Sequence, residues 1–220
     1  MRRVEVKICG VTTSADAVVA EAAGATYIGA NLVPGSPRLI SPEQSRVLAE
    51  AVRIPLAIVT VDMRPNEAAE AAREAGAAII QLHGDETEEE LGALRRLGEW
   101  ELWKAVRVRN RDDVATAIRR YSGQVDLLLL DAWHPTARGG TGVRFPWEEA
   151  ASLREEFPDS PRLGVAGGLT PENVAEAVRY LAPDLVDVSS GVESAPGIKD
   201  PDRVRSFVDR ARAASHESVT

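Results

Sequence analysis

The chain has 220 residues, a formal net charge of -8, 44% hydrophobic and 27% charged residues. That balance suits a soluble fold with one full core, since α/β barrels of this size form a single domain. Net negative charge, with arginines scattered along helical patterns, argues against nucleic acid as a partner, and no apolar run approaches the roughly 20 residues that span a bilayer. Met1-Arg2-Arg3-Val4 enters a strand pattern without the apolar stretch of a signal peptide, and the single cysteine cannot form an internal disulfide, so a cytoplasmic protein is expected.

The first apolar run, 4 to 9, ends in Cys9-Gly10 and leads to a helical pattern at 14 to 23, stopped by Ala23-Gly24-Ala25. A second pair follows at 27 to 33 and 41 to 52, its helix opened by Ser41-Pro42-Glu43, a hydroxyl cap with proline at the first helical position. The third, 56 to 62 and 65 to 75, closes on Ala75-Gly76-Ala77, where glycine suits the left-handed end of a helix. Then come 78 to 83 with 87 to 97, 101 to 108 with 111 to 120, 125 to 131 with 147 to 156, 162 to 166 with 171 to 181, and 185 to 189 with 201 to 213. Thr170-Pro171-Glu172 repeats the capping signal before the seventh helix. Eight alternations of strand and helix periodicity predict a single-domain (β/α)8 TIM barrel over residues 1–212, with 213–220 as a disordered tail. An open doubly wound sheet is the alternative, but no Gly-x-Gly-x-x-Gly follows the first strand.

In a parallel barrel the C-terminal strand ends share one face, and polar groups stand where several apolar runs stop. Cys9 is either a small core residue or an acid–base group, and the loop signal Gly10 with Thr12-Thr13 behind it favours the second. Asp131 closes Leu127-Leu128-Leu129-Leu130; it either caps a loop or, partly desolvated, donates a proton. Gly167-Gly168-Leu169 and Ser189-Ser190-Gly191 follow the seventh and eighth strands, where barrels often bind phosphate through backbone N–H groups; tight turns are the plainer reading. Gly139-Gly140-Thr141-Gly142 reads as a lid, a further anion loop or a turn. Arg38 is either a solvated loop arginine or grips a carboxylate with two parallel hydrogen bonds, and His83, ending the fourth strand at the same mouth, reads first as a hydrogen-bonded core histidine. The three histidines share no metal-ligand spacing, so no metal is expected, and Lys104 is a Schiff-base candidate or an internal ion-pair partner.

Taken in order, Lys7-Ile8-Cys9-Gly10, Ser36-Pro37-Arg38, Gln81-Leu82-His83-Gly84-Asp85, Gly139-Gly140-Thr141-Gly142, Ala166-Gly167-Gly168-Leu169 and Asp187-Val188-Ser189-Ser190-Gly191-Val192-Glu193 resemble the phosphoribosylanthranilate isomerase family, over nearly the whole chain. The resemblance implies an Amadori rearrangement in tryptophan biosynthesis without a cofactor. It implies Asp131 as general acid and Cys9 as general base. Arg38 would hold the anthranilate carboxylate, Asp187 a ribose hydroxyl, and Gly168, Ser190 and Gly191 the phosphate, with His83 also at the substrate. The partner expected is a phosphorylated small molecule, the protein a monomer or homodimer.

The chain departs from the family's pattern at Gly29-Ala30-Asn31-Leu32, where Ala30 and Leu32 stand in place of aromatic rings expected near anthranilate, and at Pro146, where aspartate is usual. The rival readings are another barrel sugar-phosphate isomerase or lyase, or a non-catalytic phosphate-ligand sensor. Keeping both Cys9 and Asp131 speaks against a sensor, which needs neither.

Overall fold

A computed structural model describes residues 3–132 and 156–217. Eight parallel strands, β1 (Glu5–Cys9), β2 (Tyr27–Asn31), β3 (Leu56–Thr60), β4 (Ile79–Leu82), β5 (Glu101–Val108), β6 (Leu127–Ala132), β7 (Arg162–Ala166) and β8 (Leu185–Val188), close into a barrel in chain order. β1 pairs with β2 on one side and β8 on the other. Around it lie α1 (Ser14–Ala22), α2 (Pro42–Ala51), α3 (Pro65–Ala75), α4 (Glu88–Leu97), α5 (Arg111–Tyr121), α6 (Val174–Leu181) and α7 (Pro201–Glu217). The helix expected at 147 to 156, apart from its last residue, and the Gly139–Gly142 loop lie outside the described residues. None of the described helices is long and apolar enough to cross a membrane.

Local chemistry sets these boundaries. Ser41 with Gln44 and Thr87 with Glu90 form reciprocal capping boxes, and Gly76 ends α3 at φ 65°, satisfying the last carbonyls of the helix. The seventh helix starts later than its sequence signal, at Val174. Asn173 folds back, accepting from the Thr170 N–H at 2.8 Å and donating to the Gly168 carbonyl at 3.0 Å, so the first turn ties the glycine loop instead of extending the helix. The last helix runs through Glu217, past the 213 at which a disordered tail was expected. Ala214 is buried and Ser215 Oγ accepts from the Val4 N–H at 3.2 Å, so apolar contact and a backbone bond secure that turn.

Successive strand residues face opposite sides. Val6, Ile8, Ile28, Ile58, Ile80, Leu128, Leu130, Val165 and Val186 pack outward against the helices. A second cluster, Tyr27, Ala57, Ile79, Trp103, Ala105, Leu127, Leu129, Ala166 and Leu185, fills the interior. Beneath it Arg162 bridges Glu5 at 2.9 Å and Glu101 at 2.6 Å, while Tyr27 and Trp103, ring centres 4.9 Å apart, donate to those same carboxylates. The N-terminal end of the barrel is thereby plugged. Polar chemistry is left to the C-terminal end.

A short extension follows β8 that sequence periodicity did not show: a single 3-10 turn, Ser190–Val192, then an antiparallel hairpin of β9 (Glu193–Ala195) and β10 (Ile198–Lys199). Its strands are too short for an alternation signal, and its consequence is to carry Glu193 and Lys199 back under the barrel mouth.

Candidate active site

The C-terminal face holds a cleft of about 420 Å³, and all eight sequence-predicted site residues line it: Cys9, Arg38, His83, Asp131, Gly168, Asp187, Ser190 and Gly191. Cys9 ends β1, Asp131 stands one residue before the end of β6, His83 follows β4 and Asp187 lies inside β8. Asn31, Val33, Val59 and Gln81 are also among the wall residues. Lys104 is not among them. It lies on the helix-facing side of β5, bonded to Glu86 at 2.8 Å and to the carbonyls of Leu82, Gly84 and Ala105, so the ion-pair reading holds and a Schiff base to a ligand in this cleft does not.

Asp131 Oδ2 lies 3.6 Å from His83 Nε2. Burial pushes the Asp131 carboxyl above the usual carboxylate range, with His83 opposing the shift and Asp187 adding to it. Burial likewise pushes His83 down, so the imidazole stays neutral more readily and leaves the carboxyl able to keep a proton. Cys9 is raised above its ordinary thiol value, again by burial, and Lys7 is the strongest influence in the other direction.

Arg38 reaches the cleft from the loop after β2. Its Nε and Nη2 bind Glu193 at 2.7 and 2.6 Å, and Glu193 also accepts from Lys199 Nζ at 2.7 Å. Burial alone would raise the Glu193 carboxyl, but the Arg38 and Lys199 hydrogen bonds hold it below its ordinary value. The Nε and Nη2 fork anticipated for a ligand carboxylate is therefore occupied by Glu193. Glycine is required beside it, because a Cβ on Gly10 would stand 2.4 Å from Arg38 Cδ.

The two glycine loops touch. A Cβ on Gly191 would fall 1.9 Å from the Leu169 carbonyl oxygen, and Gly167 and Gly168 take left-handed φ of 88° and 65°. Arg203 donates to the Gly191 carbonyl through Nε at 3.0 Å and Nη2 at 2.9 Å, fixing the turn.

Two positions are corrected. Ala30 and Leu32 do not approach the cleft; they are buried with Ile28 in the helix-facing layer, while Asn31 and Val33 are the residues of that strand end that reach the cavity. Enlarging them as Ala30→Phe with Leu32→Phe overpacks that layer, which costs about 1–3 kcal/mol for each misfit side chain. A lowered Tm with no gain in substrate affinity is the expected outcome, read by thermal unfolding and by Michaelis constants.

Sequence reasoning left Lys7, Glu193 and Lys199 without roles. All three are buried or half-buried ionic partners of the site. Lys7 was within reach of sequence logic, because it stands two residues before Cys9 and so on the same face of β1. Glu193 and Lys199 were not, since their placement depends on the hairpin.

A closed parallel barrel that gathers a thiol, a carboxyl, a guanidinium and two glycine turns at its C-terminal mouth has the layout of a (β/α)8 enzyme, whose active site lies at that end. The chain belongs to the N-(5'phosphoribosyl)anthranilate (PRA) isomerase family, whose model matches residues 6–210. The N-(5'-phosphoribosyl)anthranilate isomerase of Trichlorobacter lovleyi is 43% identical over 218 residues, covering 96% of this chain and 99% of its own length. The crystal structure of phosphoribosyl anthranilate isomerase from Thermotoga maritima superposes with a TM-score of 0.86 at 34% identity, covering 96% of this chain and 99% of that one. A phosphoribosyl anthranilate isomerase crystallised in complex with reduced 1-(o-carboxyphenylamino)-1-deoxyribulose 5-phosphate superposes at 0.81 with 32% identity, covering 96% and 99%.

Proposed function

We propose that this chain converts N-(5'-phosphoribosyl)anthranilate into 1-(2-carboxyphenylamino)-1-deoxyribulose 5-phosphate, the isomerisation of tryptophan biosynthesis. The observation that carries the reading is the convergence of Cys9, Asp131 and both glycine turns on one cleft of a family member.

The rearrangement exchanges only protons with the protein, while bonds within the sugar reorganise. Asp131, kept protonable by burial, gives its proton to the ribose ring oxygen; the C1–O bond breaks and the ring opens to a protonated Schiff base. Cys9 as thiolate removes the proton from C2, the C2–H electron pair becomes the C1–C2 double bond, and the nitrogen recovers its lone pair as an enolamine. The enolamine then relaxes to the ketone: C1 gains a proton, the C2 hydroxyl gives one up to the Asp131 carboxylate, and the O–H electron pair becomes the C=O bond while the C1–C2 double-bond pair takes the proton at C1. Arg38 meets the anthranilate carboxylate, Asp187 a ribose hydroxyl, and the N–H groups around Gly168, Ser190 and Gly191 take the phosphate, with His83 holding the neighbourhood of Asp131.

Growth of a tryptophan auxotroph lacking this isomerase tests the reading. Rescue by the intact chain is expected, and failure with soluble, folded protein overturns it. The phosphate assignment has its own test. Gly191→Ala must push the two loops apart to clear the Leu169 carbonyl. The Michaelis constant should rise by about tenfold or more, a change of about 1.4 kcal/mol. Inorganic phosphate should also cease to protect the variant against thermal unfolding; retained protection moves the phosphate elsewhere.

A further inference from the structure

The chain has only three lysines, and all are buried against carboxylates: Lys7 with Asp187 at 3.1 Å, Lys104 with Glu86 at 2.8 Å and Lys199 with Glu193 at 2.7 Å. Burying an ammonium is costly unless its charge and its three N–H donors are satisfied. Lys104 meets that condition with a carboxylate and three carbonyls, and Lys199 adds the Ser189 carbonyl to Glu193. Lys7, with no exposed surface, has one oxygen partner among the described residues, Asp187. Its other neighbour is the site thiol: a Cβ on Gly29 would stand 2.9 Å from Lys7 Nζ and 3.1 Å from Cys9 Sγ, so glycine there leaves the two groups room to face each other.

We propose that Lys7 is a positioning residue whose ammonium, anchored by Asp187 on one side, stands against the Cys9 sulfur and supplies the charge on which the thiolate forms. The inference rests on Cys9 acting as the base. Charge balance supports it. Lys7 and Asp187 cancel, and Arg38, Glu193 and Lys199 together leave one positive charge beside the cleft, so ionising Cys9 brings the buried group to neutrality instead of leaving an uncompensated anion.

The groups facing this pair are Asp187 from β8, Arg38 from the loop after β2, Lys199 and its partner Glu193 from the hairpin, and His83 beyond β4. Among them Lys7 acts most strongly to lower the thiol, against burial and Asp187. Burial would pull Lys7 itself down, yet Asp187 and Cys9 hold it above its ordinary value, so it stays charged throughout and gives up no proton. When the thiolate takes the C2 proton, the sulfur becomes neutral and Lys7 falls back on Asp187.

Cys9 is the only thiol in the chain, so the rate of its alkylation by iodoacetamide as a function of pH reports its ionisation without substrate. Lys7→Met should raise the thiol pKa by about one unit or more, cutting alkylation near neutral pH about tenfold. Asp187→Asn, which removes the competing anion and leaves Lys7 to the sulfur, should move alkylation the opposite way. A folded Lys7→Met whose thiol titrates as before overturns the proposal; where Lys7→Met does not fold, unchanged alkylation in Asp187→Asn overturns it. Because these measurements need no turnover, an active Cys9→Ala would end the role of Cys9 as base while leaving the titration result in place, and the two failures remain distinguishable.

Discussion

Asp131→Asn lowers turnover by about 10² to 10⁴-fold, the usual contribution of a positioned general acid, with little change in the Michaelis constant. The amide keeps the shape but cannot deliver a proton to the ring oxygen. The pH profile should change with it. Burial raises both the carboxyl and the thiol, and the competent form is the one with Asp131 protonated and Cys9 ionised. For such a pair kcat/KM rises and then falls with pH, and the two breaks belong to the coupled site as a whole. Without Asp131 only the need for thiolate remains. The variant's residual kcat/KM should therefore keep rising with pH to the Cys9 ionisation and lose its alkaline fall. Retention of more than about a tenth of the activity, far short of the loss a general acid implies, would remove Asp131 from the role.

Cys9→Ala should cost turnover on the same scale, about 10² to 10⁴-fold, the usual contribution of a positioned general base. Its pH dependence should run the other way. With the base gone, only the protonated carboxyl is still required, so residual kcat/KM should decline as pH rises through the Asp131 ionisation. Binding should survive in both variants, since the glycine turns and Arg38 are untouched. A simple test is protection by inorganic phosphate against thermal unfolding, which should match that of the unaltered protein; opposite pH slopes in the two variants then separate acid from base, which loss of activity alone cannot do.

Much of this site was legible in the sequence, because a parallel barrel places every C-terminal strand end on one face. Once eight strand–helix alternations were recognised, Cys9, His83, Asp131 and Asp187 had to meet with the glycine loops after the last two strands, and they do. Ala30 and Leu32 show where that logic stops. The run Tyr27-Ile28-Gly29-Ala30-Asn31-Leu32 sets apolar Ile28, Ala30 and Leu32 on one face and polar Asn31 on the other, but a parallel strand is buried on both faces, so an apolar position does not by itself tell helix side from cleft side.

The sequence by itself determined the fold class, the order of the strands and the set of groups at the mouth, since these follow from local periodicity, capping residues and the one-sided geometry of βα units. Only the tertiary structure decided how the charges are shared. Lys7 and Asp187 are 180 residues apart and Arg38 and Glu193 are 155 apart, so no local pattern ties either pair together. Closure of β8 onto β1 brings the first pair into contact, and the hairpin after β8 brings the second. Buried charges settle into pairs because leaving either one alone in a low-dielectric interior is costly, and which partner each finds depends on distances that exist only after the barrel has closed.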